Sequence, residues 1–245
     1  MNTEAISTLR DYVGEIFMNT DLGEHVLFRG QNIDRPLLPR IARDEYSAKM
    51  IRSERAMFDE FKRQGHSLAH DTCRTNWDWL ALAQHHGLPT RLLDWTQNAM
   101  AALWFAIHDA TFEKSSPVVW ILHSDSTDII NPDKAESPFD GDRTMIFRPT
   151  HMTPRIIAQS GYFTVHKHLK KDERMIPLEN NRRFKHRLHK IEISRGTGLL
   201  VGELQKFGVN SATLFPDLDG LSQRITSEYR FNCMLKATPR RVAGN

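Results

Sequence analysis

The sequence predicts an α+β domain, a short mixed sheet with flanking helices. Helical periodicity and short β-rich runs occur along the same chain. They do not alternate as the βαβ units of a doubly wound sheet would. No repeat, low-complexity stretch or linker divides the 245 residues, so one domain is expected.

The elements follow in order. "MNTEAISTLRDYVGEIF" predicts an amphipathic helix over Thr3–Met18, and "HVLFR" a strand. A helix is expected over Asp44–Gln64 and another over Asn76–His86, closed by Gly65 and Gly87 at positions that favour left-handed caps. Pro89 prevents the second from continuing. "RLLDW" reads as a short buried strand leading into a helix over Gln97–Ala110, with Thr96 as candidate N-cap. "VVWIL", "YFTVH" and "KIEIS" are further strands, and the polar, turn-rich Ser124–Thr144 is expected to be a long surface loop. The final helices are placed at Leu199–Phe207, ended by Gly208, and at Leu218–Tyr229.

Composition narrows the function classes. Cys73 and Cys233 have no CxxC spacing, which argues against a disulfide framework or zinc knuckle and for a reducing cytoplasm. The N-terminus carries acids, unlike a signal peptide, and the longest apolar run, Ala99–Ile107, is far shorter than the roughly 20 residues that span a bilayer. No membrane partner is therefore expected. A net charge of +3 permits a nucleic-acid partner. His166–Lys190 concentrates Lys, Arg and His, and "PRR" at Pro239–Arg241 adds a basic tail. These read either as a solvated surface or as a groove for phosphates.

Common catalytic signatures are absent: no Walker loop, GxSxG or HExxH occurs. "RGTGLLVG", with Gly196, Gly198 and Gly202, misses the dinucleotide fingerprint by one position and reads as a strand-to-helix turn. His85 and His86 are adjacent and would diverge on a helix, while His186 and His189 lack nearby acids, so no metal site is expected. In "FPDLDG", Asp217 and Asp219 suit a helix start, or else bind a cation or an arginine.

Charges in apolar settings are more informative. Arg91 and Asp94 flank an apolar run, and Arg29 lies between Phe28 and Gly30 on a strand. An unpaired charge there costs several kcal/mol. Arg91 and Asp94 are therefore expected to pair with each other or with Arg29. The alternative for Arg29 is to be held ready for a phosphate or carboxylate. Together these segments suggest one polar cleft.

The ordered set "LFRGQ", "LLPRIAR", "LALAQHHGLPTRLLDWTQNAMAALWFA", "RIIAQSGYFTVH" and "SATLFPDLDGL" closely resembles the FRG domain family, over roughly Val26 to Ile225. The expected organisation is an N-terminal helix (1–25), the FRG domain (26–230) and a basic tail (231–245). The resemblance implies a distant relation to ADP-ribosyltransferases of bacterial toxin and phage-defence systems. It implies NAD as substrate, a nucleic-acid acceptor and an inhibitory antitoxin partner. By that analogy Arg29 holds the NAD phosphates, with Gly30, Gln31, Arg91, Thr96 and His86 completing the cofactor site. The usual glutamate is missing at "AQSG", where Gln159 stands and His166 lies farther along. Asp94, Asp217 and Gln159 are therefore the catalytic candidates, in that order. A non-catalytic nucleotide or nucleic-acid recognition module, or a metal-dependent nucleotide hydrolase using Asp217 and Asp219, are the alternatives.

Overall fold

The computed structural model describes residues 5–21, 25–46, 48–69, 73–108, 116–132, 134–135, 137–150, 154–194 and 198–237. In chain order the elements are α1 (Leu9–Asn19), β1 (His25–Gln31), α2 (Ala48–Gly65), α3 (Asn76–His85), β2 (Leu92–Thr96), α4 (Ala99–Ile107), β3 (Val118–Ser124) and β4 (Met145–Phe147). They continue with α5 (Pro154–Ala158), β5 (Gly161–Val165), β6 (His168–Leu169), β7 (Arg174–Met175), β8 (Leu188–Glu192), α6 (Gly198–Lys206), α7 (Ser211–Leu214) and α8 (Leu218–Ala237). The fold is α+β. Its main sheet has six strands in the order β4-β5-β2-β1-β3-β8, and β6 and β7 form a separate hairpin.

Every ladder of the main sheet is antiparallel, which corrects the expected mixed sheet. The reason lies in the β2–α4–β3 crossover. Both strands flank β1 and both run antiparallel to it, so the two parallel strands of the crossover never touch. Parallel pairing survives only as isolated bridges, Ile6–Ile193, Ile33–Ser116 and Ile129–Ile146. The crossover lays α4 across β1. Gly30 permits this, because a Cβ there would stand 1.8 Å from the Ala102 carbonyl oxygen.

Strand alternation divides the core. Phe28 faces a cluster with α1, α4 and α6, including Tyr12, Leu103, Ile107, Ile121 and Leu204. Its neighbour Leu27 faces the other side, with Leu37, Leu93, Leu122 and Phe184. The N-terminal helix is tied into the first cluster through the Tyr12 hydroxyl, which donates to the Ala99 carbonyl at 2.7 Å.

Capping decides where helices begin. Thr8 caps α1, which starts at Leu9 rather than Thr3 because Ile6 is already bridged to Ile193. Residues 1–4 lie outside the described set. The Asn98 side chain accepts from the amides of Met100 and Ala101. It is therefore the N-cap of α4, in place of the expected Thr96. The α4 helix runs to Ile107; the expected extension to Ala110 reaches past the described residues, as do Gly196 and the 239–241 basic tail. Asp44 and Glu45 form a turn, and α2 begins at Ala48. Among the described residues no helix is long and apolar enough to cross a membrane.

Candidate functional site

The centre of the sheet is open. β1 lies alongside β3 from His25 opposite Ser124 to Gln31 opposite Val118, and β2 alongside β5 from Leu92 to Thr96. Between β1 and β2 the register holds only Phe28 opposite Thr96. Past that pair the two strands part. Arg29 spans the parting: its Nη1 donates to the Asp94 main-chain carbonyl at 2.6 Å and stands 3.8 Å from the Asp94 carboxylate.

A cleft of about 420 Å³ fills the opening, within the range of small-ligand sites. Arg29, Gly30, Gln31, Asp94, Thr96 and Gln159 line it, so most of the residues singled out in the sequence converge here. Arg35, Arg43, Gln84, His108 and Arg155 join them without having been singled out. Arg43 ends "LLPRIAR", Arg155 opens "RIIAQSG" and Gln84 lies in "LALAQHHG". The signal for these three was present inside motifs already noted for their resemblance.

Among the described residues the lining holds four arginines against one carboxylate, that of Asp94. The Arg29 side chain is 14% exposed and its Nε has no hydrogen-bond partner. Burial pulls the Arg29 pKa down to about 10, Asp94 opposes this and Arg43 adds to it, which leaves the group cationic at neutral pH. A buried guanidinium with an unsatisfied donor is costly unless an anion completes its set. Asp94 is 61% exposed and lies within 3.4 Å of the Gln84 amide, whose carbonyl is fixed by the Thr90 hydroxyl. The Thr96 hydroxyl donates to the Gln159 main-chain carbonyl at 2.5 Å and accepts from the Asn98 main-chain amide. One amide hydrogen of Gln159 goes to the Leu214 carbonyl. Gln31 accepts from Trp120 Nε1. These contacts hold the cleft walls in place.

Arg91 and His86 depart from the expected arrangement. Arg91 does not line the cleft and pairs with neither Asp94 nor Arg29. It forms a buried two-pronged bond with Glu54, at 2.9 and 2.7 Å, whose other oxygen takes the Arg91 amide at 2.6 Å. Phe139 covers its guanidinium. His86 is exposed at the C-cap of α3, against His85, and is also outside the cleft. Asp217 caps α8 by accepting from the Gly220 amide at 2.8 Å. The Gly30 backbone borders the cleft, but its missing side chain makes room for α4.

The basic stretch 166–190 is not a continuous groove either. His166 is buried; its Nδ1 faces the Ile176 carbonyl and its Nε2 the Thr164 hydroxyl. Because a carbonyl only accepts, Nδ1 carries the proton and Nε2 accepts from Thr164, which takes a bond from Trp95 Nε1. Arg183 and Arg187 are neutralised by Asp125 and Asp128, and Lys190 by Asp34 and Glu192. Lys170, Lys171, Arg182 and Lys185 remain exposed.

A second chamber of about 600 Å³ adjoins the cleft, because His108 and Arg155 line both. The His108 ring is stacked on Trp104 at 3.8 Å, and the Arg155 guanidinium lies over Phe215 at 4.3 Å. Burial lowers the Arg155 pKa, and Asp94 and Asp217 oppose it. Asp217 thus belongs to the second chamber, with Arg155 between it and Asp94. Among the described residues no three of His, Cys, Asp and Glu form a group able to hold a metal ion.

The family model described as FRG domain matches residues 24–115, which run from the entry to β1 through α4. No curated protein and no solved structure matches the chain.

Proposed function

We propose, from the premise that this chain contains an FRG domain, that it is an NAD-dependent ADP-ribosyltransferase-like toxin that modifies nucleic acid. The observation that carries the reading is the cleft between the parted strands, with its buried Arg29 fork short of one partner and the Asp94 carboxylate beside it. The chemistry needs both. A dinucleotide's diphosphate suits a planar, two-pronged cation better than an ammonium. Arg29 and Arg43, coupled electrostatically in the same cleft, would hold it and fix the nicotinamide ribose. The bond between that ribose and nicotinamide breaks with positive charge building on the sugar. Asp94, held by Gln84 and Arg29, would face that charge and stabilise it. Gln159 and Thr96 would hold the wall against which the sugar lies. No covalent nucleophile is called for.

Exposed Lys170, Lys171, Arg182 and Lys185 support a polyanionic acceptor. A cytoplasmic location and an inhibitory antitoxin follow from the same reading, since free activity against shared nucleic acid would arrest the host. The recognition-module reading has one observation in its favour: Asp94 already pairs with Arg29, so its carboxylate has a structural use.

The test is incubation of the protein with labelled NAD and RNA, DNA or cell protein. Label is expected on nucleic acid. Label in none of the three, with no free ADP-ribose released, leaves the recognition module as the surviving reading.

A further inference from the structure

The segment "SATLFPDLDGL" builds the second chamber, which the chemistry proposed for the cleft does not use. Its last residues seat α8 tightly on α7. A Cβ on Gly220 would stand 2.0 Å from the Phe215 carbonyl oxygen, and the Ser211 hydroxyl donates to the Gly220 carbonyl at 2.9 Å. Beyond that turn, Ser222, Gln223, Thr226 and Ser227 wall the chamber. Their spacing puts them on one face of the helix. A helix lying against its own domain ordinarily turns an apolar face to it. Here the face on the chamber carries hydroxyls and an amide, so a ligand that enters must hydrogen-bond with them in place of water.

Aromatic side chains add to the lining. Trp104 carries the His108 ring stacked on it at 3.8 Å, and Phe215 lies under the Arg155 guanidinium at 4.3 Å. Gln205 and Asn210 supply two more amides. Among the described lining residues the charges balance: Arg155 and Arg230 stand with Asp217 and Asp219, and Asp217 is spent on the α8 cap. Unlike the arginine-rich cleft, this chamber has no excess of cations for a phosphate. Its lining suits a ligand that is neutral, flat and rich in both donors and acceptors.

We propose that the second chamber holds one unpaired base of a single-stranded nucleic acid. Aromatic and guanidinium planes stack a base, while amides and hydroxyls meet its hydrogen-bonding edge. A volume of about 600 Å³ admits a nucleoside. A base within a duplex is held in its stack and cannot reach such a chamber. His108 and Arg155 line both spaces, so a base here lies beside whatever the cleft holds. Resting on the transferase reading, that base is the acceptor. Its nitrogen bonds to the ribose C1′ as the bond from C1′ to nicotinamide breaks. The electron pair of the broken bond leaves with nicotinamide, and the proton of the base nitrogen passes to solvent.

Binding is measured by fluorescence anisotropy without NAD, using short labelled single strands of DNA and RNA, an abasic strand and a duplex of the same length. A complete single strand is expected to bind at least tenfold more tightly than the abasic strand or the duplex, and DNA against RNA shows which sugar is preferred. Thr226→Trp places an indole in the chamber from an exposed helix position. It is expected to weaken binding of the complete strand at least tenfold, with an unchanged far-ultraviolet circular dichroism spectrum and unchanged affinity for the abasic strand. A single strand that does not bind, an abasic strand that binds as tightly as the complete one, or a folded Thr226→Trp variant of wild-type affinity overturns the proposal. An excess of ADP-ribose, which has no nicotinamide to lose, is expected to leave the strand bound. Displacement places the base in the cleft and overturns the proposal as well. Failure of the transferase reading is separate: a wild type that binds strands in the expected pattern but transfers no label from NAD loses that reading and keeps the chamber as a base site.

Discussion

Arg29 and Asp94 meet on unequal terms: the guanidinium bonds the Asp94 main-chain carbonyl at 2.6 Å but stands 3.8 Å from its carboxylate. The short bond ties the parted strands together, and the long contact leaves both charged groups incompletely engaged. Arg29 retains an unpartnered Nε, and Asp94 remains largely exposed to the cleft. This division of labour separates what each side chain does for the fold from what it offers a ligand.

Arg29→Lys tests the cation. A lysine can keep the charge but cannot reproduce the planar fork. NAD affinity, measured by calorimetry, is expected to fall at least about tenfold, equivalent to roughly 1.4 kcal/mol. Unchanged affinity in a folded variant removes the phosphate-clamp role and leaves the link to the Asp94 carbonyl as its purpose.

Asp94→Asn tests the carboxylate. In single-turnover transfer the chemical step is expected to slow by about 10²-fold while NAD binding is spared. Asp217→Asn provides the contrast, because its carboxylate caps α8. It is expected to leave the chemical step unchanged and to cost about 1 kcal/mol of stability at most. An equal effect of the two substitutions on the chemical step contradicts the assignment to Asp94.

Gly30→Ala tests the crossover. The added methyl would meet the Ala102 carbonyl oxygen at 1.8 Å, and backbone cannot rotate aside as a side chain can. Destabilisation is expected at or above the upper end of the roughly 1–3 kcal/mol typical of overpacking. Chemical denaturation checks it, and a loss below about 0.5 kcal/mol would show that α4 does not need the glycine.

His166 sets a pH window. Burial lowers its pKa from 6.5 to about 4. Above pH 6.5 the imidazole is neutral in both folded and unfolded chains, so its contribution is fully present. As pH falls from 6.5 towards 4, the unfolded chain takes up a proton that the folded chain resists, and stability is lost. The shift corresponds to about 3 kcal/mol across that window. Denaturation midpoints for wild type and His166→Gln are compared at pH 7 and pH 5. The wild type is expected to lose more, and parallel losses would assign the pH dependence to another group.

What the sequence determined by itself was local. Periodicity placed β1, β2, β3, β5 and β8 and the helices α1 to α4, α6 and α8, but not the short α5, α7, β4, β6 and β7; glycine marked the end of α3 at Gly87 and of α6 at Gly208, both with positive φ. The anomaly of charged residues within apolar runs pointed to the cleft. The choice of partner was left to the tertiary structure, because ion pairing depends on distance in space. Arg91 found Glu54 on α2, 37 positions earlier in the chain, while Asp94 was left for Arg29. Local chemistry suggested Thr96 as the cap of α4, and the structure gives that place to Asn98. Strand pairing decided against Thr96 by extending β2 to it and committing its hydroxyl to the Gln159 main-chain carbonyl. The antiparallel sheet and its open centre were equally illegible, because the crossover that lays α4 over β1 is set by strand order, which no local run of residues encodes.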